Sequence, residues 1–155
     1  MKTGGDHCGV LRISAEIFRI VAGTNEVSRE VNCFDKYVKP KDGVIWSQYA
    51  TEVHGLHADH IDITSASNVQ VVWGEFEEFL ETMIGQDQCG ILVVWNGQSC
   101  DMEWIYRLTQ SPNSSLNMPR NIKDFIDPMK VIKHYKSCKL NSKHSKLETF
   151  SLSSV

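Results

Sequence analysis

Residues 91–95, Ile-Leu-Val-Val-Trp, form an unbroken apolar run, preceded by Gly90 and broken by Asn96-Gly97. The run is too short for a core helix, and its lack of alternation predicts a strand covered on both faces. Such strands belong to sheets flanked by helices, so this segment constrains the chain to an α/β fold.

The neighbouring segments agree. Residues 9–21 alternate, with Leu11, Ile13, Ala15 and Ile17 on one side and Arg12, Ser14 and Glu16 on the other. That is the period of a half-buried strand. Gly23-Thr24-Asn25 supplies turn chemistry, and a second strand is predicted from Val31 to Val38, stopping before Pro40. Together these read as an antiparallel hairpin. Residues 45–64 mix Trp46, Tyr49, His54, His57 and His60 with several acids and read as short helices and loop.

Residues 68–84 carry Val72, Phe76, Phe79, Leu80 and Met83 at helical steps, with Glu75, Glu77, Glu78 and Glu81 facing out. Gly85 is a C-cap candidate. A helix is expected from Met102 to Leu108, burying Trp104, Ile105 and Leu108, and a loop from Ser111 to Arg120. Phe125-Ile126 is predicted to be a second short buried strand. Asp127-Pro128 then opens a helix, with Asp as N-cap and Pro in the first turn. Its apolar face would carry Met129, Ile132, Tyr135 and Cys138. The order predicts one α/β domain over residues 1–155, with a mixed sheet and flanking helices. Trp73, Trp95 and Trp104 fall in its core by pattern.

Length and composition bound the classes. The 155 residues suit a single domain, and 41% hydrophobic content argues against disorder. The formal net charge of -3 gives no global basic bias. Charge is local: Lys130, Lys133, Lys136, Lys139, Lys143 and Lys146 follow one another with no intervening acid. Such a run neutralises phosphates or simply forms a solvated helix face. Cys8, Cys33, Cys89, Cys100 and Cys138 are odd in number and contain no C-x-x-C, which argues against a disulfide framework or zinc ribbon. A reducing compartment, cytoplasmic or nuclear, is expected. No signal-peptide pattern or membrane-span run occurs.

The sharpest chemical feature is Asn96-Gly97-Gln98-Ser99-Cys100-Asp101, at the carboxyl end of a predicted strand and ahead of a helix. Ligands of open α/β sheets bind at such ends. A carboxylate there can hold Mg²⁺ or Mn²⁺, or it can cap the following helix. Gly97 is expected to supply the tight turn.

These residues resemble the second motif of the DEDDh 3′–5′ exonucleases, the family of the proofreading subunit of bacterial DNA polymerase III, ribonuclease T and the three-prime repair exonucleases. Cys100 stands where the repair exonucleases carry an aromatic residue. Other segments resemble the family in the same order. Phe34-Asp35-Lys36-Tyr37-Val38-Lys39-Pro40 is similar to its F-x-x-Y-V-x-P strand end. Ala50-Thr51-Glu52-Val53-His54-Gly55-Leu56 is similar to its A-x-x-V-H-G-I segment. Phe125-Ile126-Asp127-Pro128 is similar to the Asp-Thr after its next strand, and Phe150-Ser151-Leu152 to its Y-S-L.

The resemblance implies a ribonuclease H-like fold and two-metal hydrolysis of a phosphodiester, with Mg²⁺ or Mn²⁺. It implies a substrate that is the 3′ end of single-stranded DNA or RNA, with Asp101 as metal ligand and Asn96, Gly97, His54 and Gly55 beside the substrate. Lys130, Lys133, Lys136 and Lys139 would meet the nucleic-acid backbone.

The chain departs from the family at both ends. Thr3-Gly4 fits the end of the first motif, Asp-x-Glu-Thr-Thr-Gly, which puts Met1 at the Glu and the Asp ahead of it. The last motif, His-x-x-x-x-Asp, would follow Ser151-Leu152. Asp6 and Glu16 are not substitutes. The expectation is a domain truncated at both ends, lacking its first central strand and inactive as this chain, that is marginal or prone to aggregate or whose remaining strands pair directly. The alternative is a non-catalytic nucleic-acid-binding or interaction domain on the same scaffold, using the lysines and exposed Trp46 and Tyr49. A further alternative is zinc held by His54, His57 and His60 at three-residue steps on a helix, against a plain loop there.

Overall fold

The computed structural model describes residues 9–21, 23–24, 26–85, 87–97, 101–110, 112 and 114–134. The chain opens with β1 (Arg12–Ile20) and β2 (Val27–Tyr37), paired antiparallel with Arg12 opposite Tyr37 and Ile20 opposite Val27. Alternation produces β1 as expected: Ile13, Ala15 and Ile17 are half-buried, while Arg12, Ser14 and Glu16 are exposed. β2 begins earlier than its apolar residues predict. Cross-strand ion pairs hold the added stretch, Arg29 to Glu16 and Arg19 to Glu30, each at 2.5 Å. A search for apolar alternation does not register such pairs.

After β2 come the short helices α1 (Gln48–His54) and α2 (Ile61–Thr64), then the principal helix α3 (Val69–Ile84). Asn68 caps α3 by accepting from the Val71 amide at 3.0 Å, and Gly85 ends it at φ 84°. Only a residue without a Cβ takes that conformation freely. The buried face of α3 is Val72, Trp73, Phe76 and Leu80, set against Phe34 of β2 and Val38 just after it. Phe34 meets Phe76 with ring centroids 5.3 Å apart and Phe79 at 5.7 Å. Trp73 donates from Nε1 to the Asn117 carbonyl at 2.9 Å, which satisfies its polar edge inside the core. Trp95 and Trp104 are half-buried at the margin rather than in the core.

β3 (Gly90–Val93) pairs parallel with β4 (Ile122–Ile126), and α4 (Asp101–Gln110) lies in the crossover between them. α5 (Pro128–His134) follows β4. Tyr135, Cys138 and the later residues lie outside the described residues.

Helices and both kinds of pairing make this an α/β chain. Two expectations are corrected. β1–β2 and β3–β4 form two separate two-stranded sheets among the described residues, where one mixed sheet was expected. α3 joins them in its place: its core cluster takes in Ile13, Ala15 and Ile17 of β1 as well as Ile122 of β4. Nor are β3 and β4 covered on both faces. Ile91 and Val93 are each 63% exposed, and Phe125 and Ile126 are also exposed. With β4 as its one strand neighbour in the described residues, β3 has cover only on the Leu92 and Val94 side.

Arg19 ties the two sheets at one end. Its guanidinium donates to Glu30 Oε1 of β2 at 2.5 Å, to the Met83 carbonyl in the last turn of α3 at 2.5 Å, and to Gln88 Oε1 ahead of β3 at 2.9 Å. No helix among the described residues is long and apolar enough to cross a membrane. Cys33 and Cys89 are free and exposed.

Candidate functional site

The carboxyl ends of β3 and β4 are joined by one buried side chain. Asp127, 6% exposed, accepts through Oδ1 from the Asn96 amide at 2.9 Å and from the Met129 amide at 3.1 Å. The second bond makes Asp127 the N-cap of α5, as its place before Pro128 predicts. The first holds the turn that leaves β3.

That turn differs in detail from expectation. Asn96, not Gly97, takes the left-handed conformation, at φ 55°. Asn tolerates it because its short polar side chain bonds locally. Gly97 is needed for space instead: a Cβ there would lie 2.5 Å from Cβ of Val94. Gln98, Ser99 and Cys100 lie outside the described residues.

Asp101 opens α4 and is exposed. Partial desolvation nonetheless raises its carboxyl above the ordinary carboxylate value. The described residues do not fit a two-metal centre. A hard divalent cation wants several charged oxygens. Asp101 is the single carboxylate of its motif, and desolvation disfavours its charged form. Asp127 Oδ1 is committed to two amides, and Glu103 pairs with Arg107 at 2.6 Å. Among the described residues no three His, Cys, Asp or Glu side chains gather as a metal-binding group.

His54 and Gly55 end α1. Gly55 caps it at φ 73°, donating to the Thr51 carbonyl at 2.7 Å, and His54 Nδ1 accepts from the Leu56 amide at 3.0 Å. Their bonds are thus local to their own turn. His60 sits elsewhere, as N-cap of α2, with Nδ1 accepting from Asp62 at 3.3 Å. Three-residue spacing therefore does not put His54, His57 and His60 on one helix.

Lys130 is exposed on α5 and Lys133 lies in the same helix. Lys136, Lys139, Lys143 and Lys146 lie outside the described residues, as do Thr3-Gly4, Asp6 and Phe150-Ser151-Leu152. Glu16 is engaged with Arg29 on the exposed side of β1.

Two hollows mark the surface. The larger, about 440 Å³, lies between β2 and α3 and is lined by Glu75 and Glu78 with Cys33 and Met83. Its acids make it unsuited to phosphate. The smaller, about 230 Å³, follows β2 and is lined by Lys39, Lys41, Asp42 and Trp46 together with Ile63 and Thr64 of α2. Trp46 is half-buried there rather than exposed, while Tyr49 is exposed as expected.

Topology relates this cleft to the strand ends. The Lys39 amide donates to the Ser67 carbonyl at 2.8 Å beside the N-cap of α3. Gly90, by contrast, enters β3 against Ile84, in the last turn of α3. β2 therefore leaves its sheet, and β3 enters its own, at opposite ends of α3. The cleft lies at the end of α3 where β2 leaves its sheet. Sequence reasoning named Trp46 but missed the cleft, although the breaker Pro40 between two lysines ahead of an aromatic residue was its signal.

Compared with known families, the chain matches no family model, and no curated protein is significantly similar to it.

Proposed function

We infer that this chain is a DEDDh exonuclease-like nucleic-acid domain that binds the 3′ end of single-stranded DNA or RNA, on a ribonuclease H-like scaffold. One observation carries the reading: the Asn96–Asp127 bond across the carboxyl ends of parallel β3 and β4. It brings together the Asn96–Asp101 and Asp127-Pro128 segments, two of the five that resemble the family. Ligands of α/β sheets bind at such ends.

Hydrolysis is a separate matter. Desolvation disfavours the charged form of Asp101, and no three His, Cys, Asp or Glu side chains gather among the described residues, so the reading proposed is binding without cleavage. The test is release of mononucleotides from end-labelled single-stranded DNA and RNA with Mg²⁺ or Mn²⁺, beside a binding titration. Binding without release is expected. Turnover that Asp101→Ala abolishes would overturn the inactive reading, and absence of any binding would overturn the nucleic-acid reading.

A further inference from the structure

The geometry points to the cleft between β2 and α2 as a single-nucleotide subsite, in which the Trp46 indole stacks one base of a single strand and Lys39 and Lys41 contact the phosphates beside it. The inference rests on the nucleic-acid reading above and adds a site that the resemblance does not supply.

Size argues first. Pockets for drug-sized ligands hold about 300–1,000 Å³. This cleft, about 230 Å³, takes a fragment smaller than that, such as one base with its sugar. Chemistry argues next. Single-strand binders combine cationic grooves with aromatic faces on which bases stack. Trp46 is the aromatic residue lining the cleft, with aliphatic Ile63 and Val44 beside it. Lys39 and Lys41 are exposed, and their side chains enter none of the ion pairs found among the described residues. Asp42 also lines the cleft, so one positive charge remains after it is counted. The opposite hollow, with Glu75 and Glu78, offers a phosphate nothing.

The cleft is also built rather than incidental. Lys39 is anchored through its backbone to Ser67. The turn after it is backed by Gly9, where an added Cβ would lie 3.2 Å from Cβ of Pro40 and 3.3 Å from Val44. The segment at Gly9, ahead of β1, thus packs closely on the turn that carries the lysines.

The experiment uses the full chain and fluorescein-labelled dT12 and U12, followed by anisotropy across a sodium chloride series. Trp46→Ala is expected to weaken binding about 10-fold, and Trp46→Phe to restore most of it. Lys39→Gln with Lys41→Gln is expected to flatten the log–log salt slope by about 1.4, near 0.7 per lost phosphate contact on a single strand. Lys123→Gln, on β4, is the charge control and leaves the slope within about half of one such step. Native binding with an unchanged slope in the double lysine variant overturns the cleft and leaves the nucleic-acid reading standing. That arm does not depend on whether Trp46→Ala folds, because both lysines are exposed. No binding by the native chain overturns both. A dU12 titration beside U12, which changes only the 2′ position, identifies the sugar that the subsite accepts.

Discussion

The amide of Asn96 donates to Oδ1 of Asp127 at 2.9 Å, across 31 residues of sequence and at the ends of two parallel strands. The same oxygen caps α5 through Met129. One carboxylate therefore fixes both the exit from β3 and the start of the helix after β4. Asp127→Ala removes the one oxygen that accepts both bonds and leaves two amides near a buried position. Loss of a cap alone costs about 0.5–2 kcal/mol, and a bond to a charged group contributes about 1.5–3 kcal/mol. A destabilisation of about 2–3 kcal/mol is expected, with faster hydrogen exchange at Asn96 and Met129. Asp127→Asn keeps an acceptor and is expected to cost less. Unchanged exchange at Asn96 in the Ala variant would show that the bond does not hold the turn.

The turn itself separates conformation from space. Asn96→Gly is expected to be tolerated, whereas Asn96→Ala costs about 1–2 kcal/mol for the left-handed backbone. Gly97→Ala drives a methyl onto the β-branched Val94, whose Cβ cannot swing away. Overpacking of this kind costs about 1–3 kcal/mol. Val94→Ala in the same chain is expected to recover part of that loss. Denaturant midpoints of the four variants check both halves, and equal costs at 96 and 97 would contradict the division of labour.

Acid should weaken the hairpin end of the molecule slightly. Arg12 grips Asp35 with two bonds, Nε to Oδ1 at 2.6 Å and Nη2 to Oδ2 at 2.5 Å. The hydrogen bonds and charge of Arg12 hold the Asp35 carboxyl below its ordinary value. A depressed folded value means that the pair stabilises above the unfolded carboxylate value. The contribution is lost as pH falls through the folded value, below about 4. Both side chains are substantially exposed, so solvent and salt limit the pair to at most about 1 kcal/mol. An Arg12→Met, Asp35→Asn double-mutant cycle is expected to show coupling at pH 7 and none at pH 2. Coupling that persists at pH 2 would rule out the ion pair as its source.

Solubility should respond to β3. Its edge away from β4 has no strand neighbour among the described residues, and Ile91 and Val93 lie open on one face. Edges of this kind recruit other chains, and an edge lysine blocks them. Ile91→Lys or Val93→Lys is expected to raise the monomer fraction in sedimentation without changing the circular dichroism spectrum. A native chain that is monomeric at high concentration would remove the basis for this expectation.

Much of the architecture was legible because it rests on periodicity. Val72, Phe76 and Leu80 with the Asn68 cap specify α3, and the Ile13-Ala15-Ile17 alternation specifies β1. Exposure of Ile91 and Val93 was not legible, because an apolar run records what a strand could bury and not what covers it. The site was legible only as segments. Asp127 reads as a cap from Pro128, yet its bond to Asn96 depends on the parallel register of β3 and β4, which a linear pattern does not encode. Gly97 drew the turn assignment that belongs to Asn96, since glycine serves close approach as well as positive φ.

Arg19 gives the two sheets the mechanics of a book bound along one spine. Its three acceptors lie on β2, on the last turn of α3 and just ahead of β3, so the binding is at the end where β3 begins. The fore-edge is the other end of α3, where the Lys39 amide is held to Ser67 beside the helix N-cap and Trp46 lines the same cleft as Lys39.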